Sequence, residues 1–112
     1  MTDIWTYREQ QVAQSQLGGF DVEATDGSIG KIDEATAETG AACVVVDTGW
    51  WIFGKKRMIP AGVIQTIDLD KEKVYVNMTK DQIKDAPDYD EALKNDERYR
   101  EQVGQYYDPY RR

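Results

Sequence analysis

Histidine is missing from this 112-residue chain, cysteine occurs once and proline three times. Without histidine the commonest general base and metal ligand is gone, and Ser-His-Asp and Cys-His catalysis go with it. The single Cys43 excludes an intramolecular disulfide and fits a reducing compartment. It sits in an apolar run with no adjacent cation, so an inert buried thiol is expected. No apolar run approaches the roughly 18 residues a membrane span needs, and no charged-then-apolar leader is seen. The expectation is a cytoplasmic protein with no transmembrane segment. Basic excess is lacking too: 14 Lys and Arg face 21 Asp and Glu, a net charge of -7 that disfavours nucleic acid as a partner. Residues 1–54 hold nine acids and two cations, whereas 55–112 hold twelve of each, so the deficit lies in the first half.

What is present reads as one small domain of short strands. Residues 1–16 are polar with isolated Trp5 and Tyr7, an expected arm or short helix. Phe20, Val22 and Ala24 alternate with Asp21, Glu23 and Thr25, the period of a half-buried strand. Asp26-Gly27 is a hairpin signal, because such turns need positive φ. In Ser28–Ile32 the two isoleucines have the wrong parity for one face, which predicts a bulge or bend at Gly30. Cys43-Val44-Val45-Val46 is apolar without alternation, so this strand should be covered on both faces or line a barrel centre. Met58 and Ile59 resume an extended run, and Pro60, which cannot donate to a ladder, belongs at a bend or edge. Val63–Ile67 follows, then a polar turn at Asp68–Glu72, then the alternation Val74, Val76, Met78. Thr79-Lys80-Asp81-Gln82 fits a capping box opening a short helix, which Ala86-Pro87 ends. Asp90 is placed to cap a helix through about Val103, but the apolar positions Tyr89, Leu93, Tyr99, Val103 and Tyr106 keep no steady helical spacing. The tail from Asp88 is thus expected either to pack on the barrel or a partner, or to be largely disordered.

Two ligand motifs fail on spacing. Gly27-Ser28-Ile29-Gly30-Lys31 separates its glycines by two residues, not the four of a phosphate loop. Asp68–Glu72 resembles the opening of a calcium loop, but Lys73 stands where glycine is required and Thr79 where glutamate is. No catalytic residue, metal ligand or cofactor is predicted.

Leu17-Gly18-Gly19-Phe20-Asp21-Val22, Asp26–Ile32, Val44-Val45-Val46-Asp47-Thr48-Gly49 and Ile59-Pro60-Ala61 together resemble the PRC-barrel domain family over roughly residues 17–87. Residues 51–56 (Trp-Ile-Phe-Gly-Lys-Lys) and 79–87 look like stand-alone actinobacterial members. The resemblance implies an all-β fold: a small antiparallel barrel of about five or six strands, a short C-terminal helix and a helical or disordered tail. It divides the chain into an arm (1–16), the barrel (17–87) and a Tyr-rich tail (88–112). It also implies a docking role, since related barrels cap the photosynthetic reaction centre, where they help conduct protons to a quinone, or help RimM recognise a ribosomal protein.

The remaining candidate site is an interaction surface. Trp50, Trp51 and Phe53 are adjacent large apolar residues, and two neighbouring tryptophans on one strand face opposite sides. One of them is therefore expected outside, where tryptophan favours interfaces. Lys55, Lys56 and Arg57 are expected at an exposed loop tip, either merely solvated or docking an anionic partner. Tyr99, Tyr106 and Tyr107 either pack on the barrel or fold against a partner. The resulting expectation is a non-enzymatic interaction or adaptor module that self-associates as a homodimer or higher homo-oligomer and binds an unidentified protein. The alternatives are an accessory subunit of a redox or membrane complex handling protons or small molecules, and an adaptor in ribosome or RNA processing.

Overall fold

The computed structural model describes residues 4–5, 17–36, 42–49 and 56–110. The strand signals become β1 (Asp21–Ala24), β2 (Gly27–Thr36), β3 (Cys43–Asp47), β4 (Lys56–Pro60), β5 (Ile64–Asp68) and β6 (Lys73–Val76), in one sheet ordered β4-β3-β2-β1-β6-β5. β4 and β5 are consecutive in sequence yet form opposite edges of the sheet, joined only by a three-residue 3₁₀ turn at Ala61–Val63. The sheet must therefore curl until its edges approach at that corner.

Two expectations are corrected here. The curled sheet is not a closed barrel, because no ladder joins β4 to β5 among the described residues. Nor is it wholly antiparallel: β1 and β6 pair in parallel, Val22 opposite Val74. The reason lies in the corner after Pro60. Every other ladder is antiparallel, so β4 and β5 run in the same sense; the turn carries the chain across the seam without reversing it, and β6 then arrives beside β1 pointing the same way.

The alternations set the core as read. Phe20, Val22 and Ala24 are buried, as are Val74, Val76 and Met78. Each fully buried aliphatic side chain of this kind contributes about 1.5–3 kcal/mol. Ile29 and Ile32 are both buried despite their spacing, because Val22 pairs with Gly30 while Glu23 pairs with Ser28, leaving Ile29 as the extra residue of a bulge. Gly30 has φ +148°, and a Cβ there would lie 2.1 Å from the Asp47 carbonyl oxygen, so only glycine fits.

The ends are closed by other segments. Ile4, in the expected arm, is buried in the core; its carbonyl accepts from Gly62 N–H at 2.6 Å, and the Trp5 carbonyl accepts from Ala42 N–H at 2.8 Å. A Cβ on Gly62 would lie 2.6 Å from that Ile4 oxygen. Helix α1 (Lys80–Lys84) starts with the expected capping box: Thr79 Oγ1 accepts from Gln82 N–H, and Gln82 Oε1 from Thr79 N–H. Asp26 Oδ1 ties the first turn to the β1–β2 hairpin, accepting from Lys80 N–H at 2.8 Å. That geometry points Ile83, fully buried, into the core.

The tail is helical and packed, resolving the alternatives left open for it. Asp90 caps only a 3₁₀ turn, Glu91–Leu93. A second cap, Asp96, accepts from Tyr99 N–H and starts α2 (Glu97–Tyr107). In this frame Tyr99, Val103 and Tyr107 recur every four residues, and all three are buried. Including Tyr89, Leu93 and Tyr106 in one helix had hidden that stripe.

Candidate functional site

The last pair of the β3–β4 ladder is Asp47 opposite Lys56. Positions 48–55 therefore connect the two strands, and Trp50, Trp51, Phe53 and Lys55 fall there; these four lie outside the described residues, as does their assignment to a strand end. The two strands they link need no further cover. Cys43, Val44, Val45 and Val46 are each at most 2% exposed, and Met58 and Ile59 likewise. Residues opposite each other in a ladder share a face. Ala35, Val44 and Ile59 thus share one side of the sheet, while Glu34, Val45 and Met58 share the other.

Of the three cations expected at a loop tip, Lys56 and Arg57 belong to β4. Lys56 pairs with Asp33 at 2.6 Å, and that carboxylate holds its ammonium pKa above the ordinary lysine value. Arg57 is a clear correction: it is 2% exposed. Its Nε donates to the Ile83 carbonyl at 3.0 Å, Nη2 to the Lys84 carbonyl at 2.9 Å, and Nη1 to Asp88 at 2.8 Å. The guanidinium thus caps the end of α1: it supplies the Lys84 carbonyl with a donor and adds a second one to the Ile83 carbonyl, which also accepts from Ala86 N–H at 3.2 Å. No local pattern distinguishes such an arginine from a solvated one; the signal is the partner segment, 26–31 residues away.

Beyond Asp88 the tail crosses the free edge of β4, where Tyr89 N–H donates to the Lys56 carbonyl at 3.0 Å. It then covers the Val45 face. Tyr99 Oη donates to the Asp88 carbonyl at 2.9 Å and accepts from Asp90 N–H at 3.2 Å. Tyr106 Oη donates to the Gln82 carbonyl, and its ring meets Tyr107 edge to face, 5.2 Å between centroids. Tyr107 is fully buried, and its hydroxyl finds no hydrogen-bond partner. Burial raises the pKa of all three phenols. The three tyrosines nominated as interaction residues thus pack against the protein's own barrel.

Between tail and sheet a cavity of about 170 Å³ remains. Val45, Met58 and Cys43 form its floor beside Glu34 and Thr36, with Tyr89, Lys94, Asn95 and Arg100 over them. Sequence reasoning missed it, because its walls come from strands and tail some fifty residues apart. The Arg100 guanidinium stacks over the Trp5 ring at 4.9 Å and its Nε donates to the Lys94 carbonyl at 2.5 Å. Among the described residues no cluster of acids and Cys43 has metal-binding geometry, and no helix is long and apolar enough to cross a membrane.

A six-stranded sheet curled into an open barrel, plugged by a short helix, defines a small β-barrel module. A solved structure of a 16S ribosomal RNA processing protein, RimM, from Pseudomonas aeruginosa shares this fold, with a TM-score of 0.53 and 20% identity. The likeness covers 66% of this chain and 48% of that one, so this protein corresponds to about half of its length. The model of the PRC-barrel domain family matches residues 9–83, and the chain belongs to that family. No curated protein matches it.

Proposed function

We propose that this protein is a non-enzymatic, cytoplasmic interaction module that self-associates through the β3–β4 connection. One observation carries the reading. The connection holds Trp50, Trp51, Ile52 and Phe53, while the strands it joins are already covered on both faces by the chain itself. Large aromatic residues in a connection between completed strands suit a contact with a second molecule, since such residues dominate interface energetics. The cations beside them do not broaden into a nucleic-acid surface: Lys56 is paired with Asp33, and Arg57 is internal. The fold shared with RimM supports, as a second reading, a ribosome-associated protein partner.

Light scattering on the full chain and on Trp50→Ala and Trp51→Ala tests the proposal. The parent should be a dimer or larger at micromolar concentration, and at least one variant a folded monomer by circular dichroism. A monomeric parent removes self-association, and crosslinking in cells then decides whether the same residues capture another protein.

A further inference from the structure

We propose that the cavity between the tail and the Val45 face is a binding site for a small organic anion, a carboxylate on an apolar body of about benzene size. Its volume, about 170 Å³, is comparable to the roughly 150 Å³ that admits benzene in a packed protein. The floor suits such a body: Val45, Met58 and Cys43 are apolar and, in the two sulfur side chains, polarisable.

The polar groups select the charge. Tyr89 Oη is buried and finds no hydrogen-bond partner. A buried hydroxyl left without a partner is costly, so a site that retains one fits an acceptor supplied from outside. Burial, with the nearby Glu34 and Glu91 carboxylates, pushes the Tyr89 pKa up to about 12, which keeps it a donor at neutral pH. Lys94 and Arg100 line the same space with one carboxylate, Glu34, and Glu91 lies nearby; the Arg100 guanidinium is held by the Lys94 carbonyl and the Trp5 ring, so Lys94 supplies the available charge. The lysine ammonium has no ion pair among the described residues, and Glu34 is exposed. The cavity thus presents two donors that the described residues leave uncommitted, the Lys94 ammonium and the Tyr89 hydroxyl, and an anion entering it gains charge-assisted hydrogen bonds that a neutral molecule does not.

Benzoate, benzamide and benzylamine, three probes of one shape and different charge, are titrated into the full-length ¹⁵N-labelled chain. Benzoate should give saturable shifts at Thr36, Val45, Met58, Tyr89 and Asn95, and bind roughly tenfold tighter than benzamide. Lys94→Met should weaken benzoate about tenfold and Tyr89→Phe about fivefold. Both variants should keep the parent spectrum elsewhere, because neither removes a side-chain hydrogen bond within the fold. Equal binding of the three probes, tighter binding of benzylamine, shifts away from these residues, or unchanged affinity in both variants would each overturn the assignment.

Discussion

Arg57 donates to the Asp88 carboxylate at 2.8 Å across a sharp change of environment: the arginine side chain is 3% exposed and the aspartate 51%. The pair joins the edge strand β4 to the first residue of the tail, and the same guanidinium holds the Ile83 and Lys84 carbonyls. Three parts of the fold meet at one side chain.

The two partners should therefore differ in importance. Arg57→Met removes the three hydrogen bonds to α1 and Asp88 at once and leaves the Lys84 carbonyl without its donor, and should cost about 3 kcal/mol. Asp88→Asn should cost at most about 1 kcal/mol, because water solvates the half-exposed carboxylate and screens the pair. Urea unfolding followed by tryptophan fluorescence measures both; equal losses would show that the ion pair, not the carbonyl network, anchors the tail.

Burial raises the phenol pKa values of Tyr107, Tyr99 and Tyr106, and that of Tyr89 to about 12. An unfolded tyrosine ionises near pH 10. The folded state holds the neutral form, so this stability is fully present below about pH 10 and is lost as pH rises toward about 12. Tyr107→Phe removes a hydroxyl that has no partner. It should leave stability at pH 7 within about 1 kcal/mol of the parent, or raise it, and flatten the alkaline decline. A loss above about 2 kcal/mol at pH 7 would mean that the hydroxyl is bonded after all.

Gly30→Ala should be among the most damaging small substitutions, above about 3 kcal/mol, since it combines a left-handed φ with a backbone clash at 2.1 Å. Gly18→Ala, with open space around its Cβ position, should stay within about 0.5 kcal/mol. Thermal unfolding of the two variants checks the contrast, and similar midpoints would contradict the bulge geometry.

Truncation after Pro87 removes the cover from the Val45 face. Cys43, 1% exposed in the full chain, should then react with an aromatic disulfide reagent at least an order of magnitude faster, while the far-ultraviolet spectrum keeps its β signature. Val103→Ala, which loosens α2 without removing it, should fall between. Protection that persists in the truncated chain would show that another segment covers the thiol.

Much of the barrel was legible because its signals are local. Alternation at Phe20–Ala24 and Lys73–Met78, the parity break at Gly30 and the capping box at Thr79 each concern neighbours within a few residues, and each element formed where its pattern placed it. The non-alternating run Cys43–Val46 pointed to cover on both faces or a place at the barrel centre, and named no covering segment. The tail stripe depends on the helix starting at Asp96 and not at Asp90, a choice that two equally good aspartate caps do not make locally.

The sequence by itself determined an acidic chain without histidine, a set of short strands and the family to which they belong. Tertiary structure decided the rest: the parallel β1–β6 pair, the open seam, the burial of Arg57 and the cavity under the tail. Those features depend on which strand faces which after the Pro60 corner, and on contacts between residues dozens of positions apart. Hydrophobic periodicity specifies the face a residue presents, but the partner on that face is selected only when the whole chain packs.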